Sequence, residues 1–351
     1  MKKCFLSFLP VYLFIFCVFC PVFAEETGPV SGNIYLYGET HSDSSCLDKE
    51  LEAWFSHYET GTRDLFVELP CYTAGYLNRW MHEDTDDLLE MVFSDLENTA
   101  FDSPQLRHFY RQLKAVCPDT VFHGTDIGHQ YLTTGARYLS MLESEGRKNS
   151  TEYLQAEAAI EQGRTYYAMQ AEDPNAAFAY REQQMVDNFL HEYAVLDQKN
   201  VMGIYGSAHT RLFFPDQTGS VPCMATQLKM LLGNCISSAD LTKPVVRSDT
   251  VTLNGKEYPA SYYGRDDISW AEGYLTRDFW RVENAYEDLK DSPRTGNYLP
   301  AYNYIMEIRA GEVFIVEYAK TDGSLDRQYY LADGSTYSDW VLNTYQIIPD
   351  E

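Results

Sequence analysis

The chain has 351 residues, with 27 Lys and Arg against 52 Asp and Glu, 45% hydrophobic and 15% aromatic content, and a formal net charge of −25. That length suits one large α/β domain with an appendage, or two domains, and can bury a sizeable core. The charge argues against nucleic acid or anionic membrane surfaces as main partners, because no basic stripe could neutralise phosphates, and the hydrophobic content rules out a disordered acidic tail.

In chain order the first element is a leader. Lys2 and Lys3 precede an apolar run from Cys4 to Phe23, and Val22-Phe23-Ala24 stands before Glu25-Glu26. A basic start, an apolar middle and small residues before a cut mark a secretory signal peptide over residues 1–24. Retention of the same run as a membrane anchor is the alternative, and the only route to a membrane partner. Secretion or another extracytoplasmic location is therefore expected. Outside the leader five cysteines remain: Cys46, Cys71, Cys117, Cys223 and Cys235. An odd number permits at most two bridges. Cys46–Cys71 and Cys223–Cys235 are the candidate pairs, with burial of free thiols as the alternative.

Four short apolar runs follow: Asn33–Tyr37, Asp64–Val67, Thr120–Phe122 and Val201–Tyr205. Continuous apolar runs separated by helical patterns predict strands of a parallel sheet buried on both faces. Leu47, Leu51, Trp54, Phe55 and Tyr58 repeat at helical spacing, with Ser44 or Ser45 as the expected N-cap. Ser150–Gln170 and Ala177–Leu196 also read as helices, separated by Pro174.

The residues after each run carry the chemistry. They are Gly38-Glu39-Thr40-His41, Glu68-Leu69-Pro70, His123-Gly124-Thr125-Asp126 and Gly206-Ser207-Ala208-His209. Open parallel sheets place ligands outside the carboxyl ends of their strands, so the four ends together predict one site. Glu39 and His41 read as a water-activating pair or as two metal ligands. Glu68 abuts an apolar strand, where a carboxylate needs a partner. His209 joins them, while His123 and Asp126 are secondary: the first could face the sheet interior, the second could cap the next segment. His57, His82, His108 and His191 read as surface residues, and His129 stays open. Arg181 lies on a helix whose Met185 and Phe189 face the core. No nucleophile elbow is present, since Gly206-Ser207-Ala208-His209 lacks a glycine two residues after its serine.

These motifs, with Phe66-Val67-Glu68 and Arg181-Glu182-Gln183-Gln184-Met185, resemble the superfamily of erythromycin esterases, ChaN-like haem-binding proteins and Tiki/TraB proteins over about residues 33–235. The glutamate and histidine of the first motif are two apart, nearer the ChaN and Tiki pattern than the three-residue spacing of erythromycin esterases. The resemblance implies an α/β fold with a carboxylate–histidine pocket built on Glu39, His41, Glu68 and His209, with Arg181 as an electrostatic partner. It implies hydrolysis in some members, and metal-dependent proteolysis or haem binding in others. In this chain His41 is assigned as general base, Glu39 and Glu68 as orienting or metal-binding carboxylates, and His209 as ligand or oxyanion partner; Arg181 is a second candidate for the oxyanion. The same four residues could bind zinc, manganese or iron. The expected function is an exported hydrolase of a small-molecule or peptide ester or amide; the alternative is an extracytoplasmic haem or metal carrier without catalysis.

From about Asp249 the texture changes. Thr250–Leu253, Asn254-Gly255 and Glu257–Tyr263 predict a hairpin. Thr276 is expected to cap a helix with an inner stripe of Phe279, Val282, Tyr286 and Leu289, stopped by Pro293. Glu312–Tyr318 and Arg327–Leu331, around Asp322-Gly323, predict another hairpin. The organisation expected is a leader over 1–24, a mostly parallel α/β domain over 25–248 and a small α+β unit over 249–351. Trp270, Trp280 and Trp340 in that unit either fill its core or line a cleft.

Overall fold

The computed structural model describes residues 32–350 except 198 and 339, so the expected leader lies outside the described residues. From the amino end, β1 (Ile34–Glu39) leads into α1 (Ser44–Glu59), and β2 (Asp64–Pro70) into α2 (Cys71–Trp80), α3 (Asp87–Asp95) and α4 (Pro104–Val116). Next come β3 (Val121–Asp126), α5 (Ala136–Ser144), the long pair α6 (Thr151–Glu172) and α7 (Pro174–Val195), β4 (Val201–Gly206), the single turn α8 (Ser207–Thr210), α9 (Met224–Leu232) and β5 (Ile236–Asp240). The five strands form a parallel sheet in the order β3-β2-β4-β1-β5. The protein is thus α/β. β2 is buried at all seven positions, which is why its sequence runs apolar without alternation.

The strands extend past the apolar runs. β1 ends on Glu39 and β3 on Asp126, so these site residues belong to strand ends rather than to loops. The weakly apolar edge strand β5 (Ile-Ser-Ser-Ala-Asp) has too little pattern to be read from sequence. The cap of α1 is Asp43 rather than either serine: its carboxylate accepts from the Ser45 and Cys46 amides at 3.0 and 3.1 Å. Asp173 caps α7 likewise, and Pro174 takes the first helical position, where a missing N–H costs nothing.

The remaining strands are β6 (Arg247–Leu253), β7 (Lys256–Asp267), β8 (Tyr274–Val282), β9 (Arg294–Pro300), β10 (Glu312–Lys320), β11 (Leu325–Ala332) and β12 (Asn343–Ile347). They form a second, antiparallel sheet in the order β6-β7-β8-β10-β11-β12-β9. Both predicted hairpins are present. Asn254 and Gly255 turn the first with φ of 50° and 70°, the pair of positive values that a two-residue hairpin turn requires.

The predicted helix after Thr276 is a strand instead. Phe279 and Val282 are three apart, which suits one face of a helix, but in β8 they point to opposite faces and enter two separate hydrophobic clusters. Pairing with β7 on one side and β10 on the other outweighs the local helical spacing, and only α10 (Tyr286–Leu289) is helical. Trp280 stacks against Tyr262 at 4.7 Å within the sheet, whereas Trp270 is exposed.

Neither candidate disulfide is present, and the alternative of free thiols holds. Cys46, Cys71, Cys117, Cys223 and Cys235 are all free thiols, and Cys46, Cys117 and Cys223 are buried. Among the described residues no helix is long and apolar enough to cross a membrane.

Candidate functional site

The carboxyl ends of β1, β2, β3 and β4 lie side by side, so Glu39, Glu68, Asp126 and the Gly206–His209 turn share one edge of the sheet. Close backbone approach makes this possible. A Cβ on Gly38 would fall 2.3 Å from Thr210 Oγ1, and one on Gly206 would crowd His41 Nε2 and Glu68 Oε2 at 3.2 and 3.3 Å. Gly206 in turn donates its amide to Glu68 Oε2 at 2.6 Å.

His41, Glu39, Glu68, His209, Asp126 and Arg181 all meet there. His41 Nδ1 is 2.8 Å from Glu39 Oε1, and Nε2 faces Glu68 Oε1 at 3.6 Å. His209 Nε2 approaches the same Glu68 oxygen at 3.5 Å, while its Nδ1 binds Glu182. Arg181 reaches in from α7 and donates Nε to Asp126 Oδ1 at 2.9 Å and Nη2 to Asp126 Oδ2 at 2.7 Å. Nη2 also reaches Glu68 Oε1 at 2.5 Å, and Nη1 lies 3.2 Å from His209 Nε2. Side-chain exposure is 23% for His41, 6% for Glu39, 3% for Glu68 and 8% for His209, so His41 is the most exposed of the four. The Phe101 ring packs on it, centroids 4.4 Å apart, and Ser42 ties the Phe101 loop down by donating to the Ala100 carbonyl at 2.6 Å.

The charges settle each other. Burial alone would lower the His41 imidazole, but hydrogen bonds to Glu39 and Glu68, and their charges, raise it to about 10. Burial also opposes a charged His209, yet Glu68 and Glu182 outweigh it and raise that ring too. Burial would push Glu68 up, but His209, Arg181 and His41 hold it well below the usual carboxylate range. Asp126 is depressed against burial by Arg181 and His129. At neutral pH the resting site therefore holds His41 as imidazolium beside an ionised Glu68.

This arrangement bears on the possible metal site. Each His41 nitrogen faces a carboxylate; Glu68 is engaged by Arg181 and the Gly206 amide; His209 is bound by Glu182 and meets Arg181. A guanidinium and an imidazolium repel an incoming cation, and among the described residues no group of three or more His, Cys, Asp or Glu could hold a metal ion. Zinc, manganese and iron do not fit the set Glu39, His41, Glu68 and His209. Arg181 clamps the site: Nε and Nη2 donate to Asp126 and Glu68, and Nη1 lies against His209 Nε2.

His123 lies outside the site. Its nitrogens bind Asp64 at 2.9 Å and Glu192 at 3.0 Å, and its ring stacks on Phe66. His57 is half-buried rather than solvated, with Nε2 3.0 Å from the Tyr37 hydroxyl. Three participants escaped the sequence reading. Glu182 neighbours Arg181 and holds His209. His129 sits 3.2 Å from Asp126 and 2.7 Å from the Tyr167 hydroxyl. Glu50, 1% exposed on α1, adjoins Glu39; its signal is a charged residue between Leu47 and Trp54 on the buried face of a helix. A cavity of about 440 Å³ against β3, α6 and α7 is lined by Cys71, Leu154, Asn188, His191 and Glu192, and of the site residues it borders Asp126.

No family model matches the chain, and no curated protein sequence matches it. Solved structures do. A Bacillus cereus protein aligns with TM-score 0.45 and 13% identity over 89% of this chain and 85% of its own. An erythromycin esterase mutant in its open conformation aligns with TM-score 0.42 and 11% identity, over 60% of this chain and 69% of its own. ChaN of Campylobacter jejuni, described with cofacial haem binding, aligns with TM-score 0.32 and 11% identity over 60% of this chain and 82% of its own. The structural neighbours of this α/β chain thus include an erythromycin esterase and a ChaN protein.

Proposed function

We propose that this chain is an exported hydrolase in which His41 takes a proton from the water that attacks an ester or amide carbonyl. The observation that carries this reading is the histidine held between two carboxylates: Nδ1 is fixed by Glu39 at 2.8 Å, Nε2 faces Glu68 at 3.6 Å, and the ring is the most exposed side chain of the cluster. A histidine oriented in this way is worth roughly 10²–10⁴-fold as a general base. The water oxygen bonds to the carbonyl carbon, its proton passes to Nε2, and the ring returns that proton to the departing alkoxide or amine as the C–O or C–N bond breaks. Glu39 fixes the ring and stabilises its charged form, while Arg181 and His209 hold Glu68 in place from beneath. The basic and apolar leader supports export.

A library of aryl esters and short peptides tests the reading directly. Turnover is expected with the purified chain, and a chelator is expected to leave the rate unchanged, because the donor set does not suit a metal. Failure to cleave any ester or amide would sink the proposal, and loss of turnover on chelation would overturn the metal-free chemistry.

A further inference from the structure

Glu39 and Glu50 adjoin each other with too few donors between them. Glu39 gives Oε1 to His41, but its Oε2 is buried without a partner, and so is Glu50 Oε1. Glu50 is 1% exposed and Glu39 is 6% exposed, so water does not repair the deficit. Two ionised carboxylates cannot share such a place, because each desolvated charge would face another of the same sign. A single proton removes both problems: it cancels one charge and supplies the missing donor.

We propose that Glu50 is held as a neutral carboxylic acid whose hydrogen bond to Glu39 fixes the carboxylate that orients His41, which makes Glu50 a positioning residue of the site. Burial first, and then Glu39, push its carboxyl up to about 9, in keeping with the geometry. The other titratable groups facing the pair are His41 from the β1–α1 loop, Tyr110 from α4 and Cys46 on α1 itself. Burial raises both Tyr110 and Cys46, so both are neutral near pH 7 and neither adds a competing charge. This inference deepens the Glu39–His41 unit of the proposed hydrolase without needing a substrate to be known.

The test is spectroscopic, on the full chain labelled with ¹³C at the glutamate side-chain carboxyls, together with Glu50→Gln and Glu50→Leu. One carboxyl is expected to stay protonated through pH 8 and to be missing in Glu50→Gln; Glu307, pushed up by burial to about 7, titrates earlier and is assigned with Glu307→Gln. Glutamine keeps a donor towards Glu39, so the His41 titration followed by ¹⁵N NMR should match the wild type. Leucine removes the donor, makes Glu39 more basic and should raise the His41 midpoint by about one pH unit. Ionisation of every glutamate other than Glu307 at pH 7, survival of the protonated signal in Glu50→Gln, or equal His41 midpoints in the two variants would each overturn the proposal. Absence of turnover on the ester and amide library would count against hydrolysis alone, because these spectra report on the proton and the ring directly.

Discussion

Replacing Arg181 by methionine is expected to destabilise the fold by about 3–5 kcal/mol, the range for removing one partner of a buried ion pair. The guanidinium is 13% exposed, and it lies against Asp126 and Glu68, whose side chains are 1% and 3% exposed. Methionine fills much of the volume but leaves two buried carboxylates without their main counter-charge. Lysine would keep the charge and lose the fork that meets both Asp126 oxygens and Glu68, so an intermediate deficit is expected. Folded-state values for Glu68 and Asp126 are depressed below their unfolded ones. Their contribution is then full above about pH 4 and is lost as pH falls through the folded values. The deficit of the methionine variant should be large at pH 7 and shrink in acid. Urea unfolding at the two pH values measures it through the midpoint at constant slope. A variant within about 1 kcal/mol of the wild type at pH 7 would show that Arg181 is not the clamp described above.

His41→Ala should have a contrasting effect. The ring is partly exposed and borrows its packing from Phe101, so its removal should leave the fold in place. Loss of the base should cost roughly 10²–10⁴-fold in kcat on whichever ester or amide is turned over. The measurement is kcat beside a melting curve: a large kinetic loss with a small thermal shift fits a base, and an unchanged kcat would remove His41 from the chemistry. Its ion pairs also contribute stability that is full below an unfolded value near 6.5 and is lost as pH rises through about 10. Any thermal deficit of the alanine variant should therefore fade in strongly alkaline buffer.

Much of the site could be read before any coordinates, because each functional group follows a buried strand. The apolar runs that become β1, β2, β3 and β4 are continuous, and the polar residues after them stand out for that reason. Glu39, His41, Glu68 and His209 do converge on one edge, and Asp126 and Arg181 join them. What was hidden depends on tertiary placement. His123 and Asp126 look alike in sequence, yet His123 lies within β3 and is bound by Asp64 and Glu192, whereas Asp126 ends the strand and is bound by Arg181. Glu50 and Glu182 resemble ordinary helical glutamates until burial shows what each one faces. The ligand types of a possible metal site were visible in sequence, whereas the reach of the neighbouring guanidinium was not. In the second sheet, β8 imitates a helix through three-residue spacing, and only its two strand neighbours decide the matter.

The pH dependence of the reaction rate tests His41 as the base most directly. A base raised to about 10 by its carboxylate neighbours is almost wholly protonated at pH 7, so kcat/KM should climb about tenfold per pH unit from pH 6 to pH 9 and level near 10. Glu68→Gln removes one of the two charges that hold the proton on the ring, and the same climb should then level at a lower pH. A rate that is already flat above about pH 6.5, the ordinary value for a histidine, in both proteins would contradict the carboxylate-held base.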